Sequence, residues 1–406
     1  MAITSSSSNL FIKKFSLLFM LCLIYFFTVL GRIIFSPLTL FISSDLNIGS
    51  METGNMFLML SIGFGISLFF SQFISSYLSH KTTILCSSFF LSFSLIFSSF
   101  CSSWHMLLIS LFFIGLSSGM FLPSSVAIIT ASFPQNKWGQ AFSIFSMSQS
   151  SAFILAPLII QTLSPFFSWQ KNLFFLGWLI FFSSIWIFFS LDHGKFKGEA
   201  ISFSFLKTII SFPSFWAVLF LLCVITGLNV GIYNMSPDFF SQNKQISTKQ
   251  INFILSLSRF LGLIALFLSG KITDSFGLKK ALVFGLFLCG GMTALMGIVS
   301  PFFSLFLLCI QSPFALCLNP MIHIAISNLS PPGKNAAMVS LISSIGYLVG
   351  SGVIPQALGF FGAYNLYSFG FILFGLFAIA SGFILQKKAS SSTPFLGLVK
   401  TVDSFE

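Results

Sequence analysis

Long apolar stretches recur along this chain with almost no charge inside them: Leu17 to Phe35 contains Arg32 as its one charged residue, and Leu173 to Leu191 contains none. A helix needs about 20 such residues to cross the hydrocarbon of a bilayer, where no water satisfies open backbone N–H and C=O groups. A membrane β-barrel would instead show segments of about ten residues that alternate apolar and polar, and these runs do not alternate. An all-α integral membrane protein is therefore expected. Charged residues make up 7% of the 406, against roughly 25% in soluble domains, so an ordinary water-facing surface cannot be built.

The runs predict twelve transmembrane helices, at 15–43, 54–78, 83–101, 105–132, 139–163, 172–191, 211–236, 251–270, 278–299, 302–328, 336–361 and 365–386. Lys13 and Lys14 precede the first run as they would in a secretory leader. The run lasts about 28 residues, well beyond the 7–15 of a leader's apolar core, and is expected to be retained as helix 1. The polar stretch Asp192 to Lys207 splits the spans six and six. This gives an N-terminal half over 1–191, a cytoplasmic loop over 192–207, a C-terminal half over 208–388 and a cytoplasmic tail over 389–406. The seven cysteines are scattered without C-x-x-C spacing, so neither a metal nor another cofactor is expected.

Lysine sets the orientation. With the N-terminus inside, fourteen lysines (13, 14, 81, 137, 195, 197, 207, 271, 279, 280, 334, 387, 388 and 400) fall on the cytoplasmic side and three, Lys171, Lys244 and Lys249, outside. Both termini are thus expected in the cytoplasm, with the net charge of +11 mostly at one membrane face, where anionic lipid accepts it. No basic domain is present to bind nucleic acid. The halves also repeat. Gln72–Lys81 answers Gly270–Lys279, Phe133–Lys137 answers Ser330–Lys334, Pro123 answers Pro320 and Pro157 answers Pro355, all at offsets of 197 or 198. Two pseudo-symmetric six-helix bundles with a site between them form a transporter architecture.

Between helices 8 and 9 the chain reads G-x-x-x-D-x-x-G-x-K-K, from Gly270 through Asp274 and Gly277 to Lys279 and Lys280. Gly277 permits a tight turn, Gly270 a close helix end, and Asp274 can accept hydrogen bonds from a helix N-terminus or a basic side chain. This motif resembles the signature loop of the major facilitator superfamily, and the resemblance extends over essentially the whole chain. Phe133-Pro134 with Lys137, Gly139 and Ala141 is similar to the family's helix 4–5 connection, and Gly115, Ser118, Gly119 and Pro123 to its helix 4, although Leu111 stands where an arginine is often found. Ala152, Ala156 and Pro157 resemble a helix 5 motif of exchangers with alanines for glycines. The family's loop recurs between helices 2 and 3, where its acidic residue helps latch one conformation; here Ser76 replaces that acid and Gln72 the glycine. The resemblance implies that Gly270, Asp274, Gly277, Lys279 and Lys280 form the latch, with Asp274 alone in the acidic role.

All eight acidic residues, Asp238 among them, fall in predicted loops or tails, while Arg32 and Arg259 lie within predicted helices. At 1.5 Å per residue they stand about 20 Å and about 16 Å from Asp45 and Gly270, beyond easy snorkelling, and an arginine at a helix centre costs about 2.5–3.5 kcal/mol. Both are expected to face a water-filled, electropositive cavity and to bind an anion, the alternative being that they hold helices together through backbone carbonyls. Tyr25, Asn229, Tyr233, Asn319 and His323 are expected to orient the solute, with His323 the candidate for proton coupling. Gly115-Leu116-Ser117-Ser118-Gly119 matches the G-x-S-x-G hydrolase pattern, but spacing by four inside a span reads as close helix packing. No Walker loop is present, and no enzymatic activity is expected.

The resulting expectation is a secondary carrier of the major facilitator type, monomeric in a bacterial inner membrane, alternating access by rocking one half on the other. Its partners would be membrane lipid, a small organic anion or phosphate ester and, as coupling species, a proton or counter-substrate. The alternatives are a drug or metabolite exporter, which for cations needs a carboxylate in the membrane, and a transporter-like receptor, which needs a longer cytoplasmic segment.

Overall fold

The computed structural model describes residues 2–191, 193–198, 203–330 and 335–387. Twelve helices among them are long and apolar enough to cross a membrane: α1 (Phe15–Leu46), α2 (Ser50–Tyr77), α3 (His80–Ser99), α4 (Trp104–Ser132), α5 (Trp138–Leu163), α6 (Trp169–Ser190), α7 (Pro213–Asn243), α8 (Thr248–Phe267), α9 (Leu278–Ile298), α10 (Pro301–Leu329), α11 (Ala337–Ala363) and α12 (Tyr367–Lys387). They form two six-helix bundles whose internal pairings repeat: α1 with α5, α2 with α4 and α3 with α6 in the first, α7 with α11, α8 with α10 and α9 with α12 in the second.

Two boundaries differ from the sequence reading by six residues or more. Helical backbone continues beyond α8 to Phe276, so Gly270 does not end the helix and Asp274 belongs to its final turns. α7 runs on through Pro237 to Asn243. Proline has no N–H, and its ring frees the carbonyl four residues earlier. That carbonyl, on Tyr233, accepts from Ser36 Oγ of α1 at 3.0 Å, so a hydroxyl from the other bundle replaces the missing intrahelical bond.

Glycine sets the closest crossing. A Cβ on Gly63 of α2 would enter the backbone at Phe112 of α4, and one on Gly115 would meet the Leu60 carbonyl. The G-x-S-x-G stretch is thus a packing face: Ser117 is fully buried and its Oγ donates to the Ile114 carbonyl at 2.8 Å.

We call the end at Phe15 and Lys387 basal and the opposite end distal. The bundles are sealed distally. α1 meets α7 through Ser36, Ser50 Oγ of α2 donates to Gln242 Oε1 at 2.8 Å, and Gln356 Nε2 of α11 donates to Asn55 Oδ1 of α2 at 3.0 Å. The α2–α11 seam continues through Ser61 and Ser351, whose hydroxyls lie 3.0 Å apart, to Ser340 Oγ on the Leu68 carbonyl at 2.8 Å.

Candidate functional site

Arg32 projects from α1 at the junction with α2 and α11. Its guanidinium carbon lies 3.9 Å from the centroid of Phe64 and 5.8 Å from that of Tyr347, and these two rings meet edge to face at 5.4 Å. Among the described residues it makes no hydrogen bond or ion pair. The side chain is half-buried, so its planar fork of N–H donors remains free to grip a carboxylate or phosphate.

Arg259 is 3% exposed and differently placed. Its Nη1 donates to Asn229 Oδ1 and its Nη2 to the Asn229 carbonyl, each at 2.5 Å, while its guanidinium lies 4.5 Å from the Tyr233 centroid and 4.8 Å from that of Phe153. Asn229 sits in a widened π-type turn, Gly227–Gly231, in the middle of α7. The Leu228 carbonyl of the same turn accepts from Gln311 Nε2 of α10 at 2.9 Å. Two neighbouring helices therefore satisfy carbonyls that a regular helix would keep for itself.

These clusters are counterparts under the internal repeat. Helices α1, α2 and α11 supply Arg32, Phe64 and Tyr347; their equivalents α7, α8 and α5 supply Tyr233, Arg259 and Phe153. Each seam has one arginine and two aromatic rings, with the arginine moved from the α1 position to the α8 position. A guanidinium over a ring gains about 0.5–1 kcal/mol, and about 2 or more when desolvated.

The remaining expected residues divide between these surroundings. Tyr25 is buried between Phe145 and Phe121, at centroid distances of 4.3 and 5.7 Å, and its hydroxyl donates to Gln149 Oε1 at 2.8 Å. Tyr233 is held edge to face with Phe153 at 5.1 Å. His323 Nδ1 lies 2.8 Å from the Asn319 carbonyl; a carbonyl only accepts, so Nδ1 carries the hydrogen, and in the neutral ring Nε2 keeps its lone pair. Asn319 and His323 are both half-buried on α10.

The placing of every acidic residue outside the helices is corrected for four of them: Asp45, Glu52 and Asp274 lie in the end turns of helices, and the one set deep in a span is Asp238. It is fully buried within α7, accepting from Gln242 Nε2 at 2.6 Å and from the Tyr367 hydroxyl of α12. The predicted helix stops at 236, one residue before Pro237, whereas the helix runs through that proline. Of the signature loop, Gly277 makes the turn with φ 79°, Lys279 Nζ donates to the Gln386 carbonyl at 3.4 Å, and Asp274 and Lys280 are exposed. The surroundings of Gly270 lie outside the described residues.

In the N-terminal copy, a strap of main chain occupies the turn. Lys81 N–H donates to the Gly194 carbonyl at 2.8 Å, His80 N–H to that of Phe196 at 3.1 Å, and Gly198 N–H to that of Ser75 at 2.8 Å. The Phe196 ring meets the His80 imidazole edge-on at 4.9 Å. Sequence reasoning also missed Phe64 and Tyr347, two aromatic residues with no local mark, and Gln149. It missed Asn252 and Ser256 as well, which share a helical face with Arg259 and could have been found from their i, i+4 and i+7 spacing in an otherwise apolar run.

The family model of the Major Facilitator Superfamily matches residues 21–355 and again 219–396. An uncharacterised MFS-type transporter of Methanocaldococcus jannaschii is 22% identical over 381 residues, covering 90% of this chain and 96% of that protein. The sialic acid transporter NanX of Escherichia coli is 27% identical over 206 residues, 47% of this chain and 49% of its own. Among solved structures, a POT family transporter superposes with a TM-score of 0.78 at 15% identity, covering 92% of this chain and 96% of the other. A bacterial homologue of the human lysosomal transporter Spinster, inward-facing and unoccupied, gives 0.74 at 14%, covering 92% and 97%.

Proposed function

Because the chain belongs to the Major Facilitator Superfamily, we propose that the solute it carries across the membrane is a small organic anion, a carboxylate or phosphate ester, and that Arg32 takes hold of it. One observation carries this reading: a guanidinium within a spanning helix, at the meeting of the two bundles, keeps its hydrogen-bond donors unengaged while rings cover its face. Similarity to a sialic acid transporter over about half the chain supports the same class, since sialic acid is a sugar carboxylate. Asn319 and the free Nε2 of His323 supply orientation and a place for a coupling proton. Tyr25 shapes the N-terminal wall, and Asn229 and Tyr233 act through Arg259. By the lysine distribution the basal end faces the cytoplasm, in a bacterial inner membrane, and the sealed distal end is one of two alternating states. Gly270, Asp274, Gly277, Lys279 and Lys280 are the latch of the basal end.

A thermal-shift screen of the purified protein tests the reading. The probes are N-acetylneuraminate, glycerol 3-phosphate, inorganic phosphate, D-xylose and tetraphenylphosphonium. A ligand at 100 times its Kd stabilises the folded state by about 2.7 kcal/mol. Stabilisation by the anions, lost in a folded Arg32→Gln variant, is the expected result. Stabilisation by the cation alone, or an unchanged response in the variant, overturns it and favours an exporter.

A further inference from the structure

Three side chains on one face of α8 are buried with a polar atom that has no partner. Asn252, Ser256 and Arg259 recur at i, i+4 and i+7, within about 60° of one another around the helix axis. Their exposures are 1%, 4% and 3%, and Asn252 Oδ1, Ser256 Oγ and Arg259 Nε lack any hydrogen-bond partner. Arg259 shows which way the face looks. Its guanidinium lies over Phe153 of α5 and Tyr233 of α7, so the stripe is turned to the seam between the bundles.

The depth of the three residues gives the stripe a direction. α8 starts at Thr248 at the distal end; Asn252 stands about one turn in, Ser256 about two, and Arg259 about 16 Å along, near mid-membrane. Buried polar atoms are hydrogen-bonded in the great majority of cases. Three exceptions in consecutive turns, on one face, at a seam that must open for solute to pass, share one explanation: they find their partners when the distal gate is open.

We infer that this face is a distal docking ladder for the solute, passed before Arg32. The inference rests on the anionic reading proposed above and narrows it to a hydroxylated anion. From the mouth inward, the unpartnered groups are an amide (Asn252, with Oδ1 as the buried acceptor), a hydroxyl that both donates and accepts (Ser256 Oγ) and a cationic donor (Arg259 Nε). A sugar acid or polyol phosphate matches that order, with its hydroxyls on the outer rungs and an anionic oxygen on Nε–H. The other two guanidinium nitrogens stay on Asn229, which fixes where Nε points. Closing the gate takes all three atoms out of water, so the ladder disfavours closure until the solute has moved on.

Thiol accessibility tests this without knowing the solute. Ser256→Cys and, nearer the mouth, Asn252→Cys are placed in a full-length chain whose seven cysteines are replaced, reconstituted in liposomes, and exposed from each side in turn to anionic and cationic methanethiosulfonates. Leu255→Cys, at a fully buried neighbouring position, serves as reference. Expected are modification from the distal side and, relative to free thiol, a preference for the anionic reagent of about tenfold. Arg259→Gln abolishes the preference, Arg259→Lys keeps it and Arg32→Gln leaves it unchanged. If the two ladder positions react no faster than the reference, or without charge preference, the ladder is wrong. The separate loss of anion stabilisation in Arg32→Gln judges the Arg32 reading, so either can fail alone.

Discussion

An arginine at the centre of a spanning helix costs about 2.5–3.5 kcal/mol on the insertion scale, and α1 and α8 carry one each. For Arg259 the cost is offset by the Asn229 amide and carbonyl oxygens; for Arg32 the structure offers rings alone. The two should therefore respond with opposite sign to an apolar isostere. Arg32→Met is expected to stabilise the fold while removing the anion response, whereas Arg259→Met, which strands the carbonyl oxygen of Asn229, destabilises it, each by about 1–3 kcal/mol. Thermal unfolding in one detergent checks both. Asp238 gives a second test at this scale. Tyr367→Phe removes one of the donors, beside Gln242, to a fully buried carboxylate and should cost about 1–3 kcal/mol, with Asp238→Asn partly restoring the loss. As charges in apolar runs, both arginines were legible in the sequence. Their difference was not, because the oxygens that hold Arg259 belong to a widened turn, and no spacing of apolar residues announces one. Asp238 was hidden behind a proline that ends most helices and here does not.

The course of α7 shows how local irregularity is repaired from outside the helix. Its π-type turn gives two carbonyls to Arg259 and Gln311, and its proline leaves one to Ser36. The turn also packs against a second widened turn, Val349–Val353 of α11, where a Cβ on Gly231 would collide with the Gly350 carbonyl. If Ser36 replaces the N–H that Pro237 lacks, the two positions are coupled. Ser36→Ala should cost about 1 kcal/mol in the native chain and appreciably less beside Pro237→Ala, which restores the intrahelical donor. A double-mutant cycle on thermal stability measures that difference, and simple additivity would remove the repair argument. Prolines and paired glycines were visible as punctuation in the sequence. The partners that make them tolerable were not, since these come from other helices, Ser36 lying 197 residues from Tyr233 and Gly350 119 from Gly231.

At the scale of the molecule, the bilayer makes most of the fold legible. Span length is imposed from outside, and the repeat offset gave the two bundles before any contact was known. The seams between the bundles, where the proposed site lies, were the least legible part, being built from single serines, aromatics and glycines common throughout the chain. They are also where motion can be stopped. Ser61→Cys with Ser351→Cys places two sulfurs where hydroxyls now lie 3.0 Å apart, close enough to bridge. Oxidation in a chain without other cysteines should halt transport, and reductant should restore it; full activity of the bridged protein would mean that this seam does not open. The strap at Gly194–Gly198 bears on the same motion as a matter of slack. Because Gly198 is fastened at the α2–α3 turn, the run from there to Pro213 holds fifteen residue steps, whereas a run from Leu191 would hold twenty-two. Eight of those residues, Phe203–Ile210, are wound into a helix only about 12 Å long. The connection between the bundles is thus shortened at its start by seven residue steps, and the reach that remains bounds how far the basal ends could part in the proposed rocking motion.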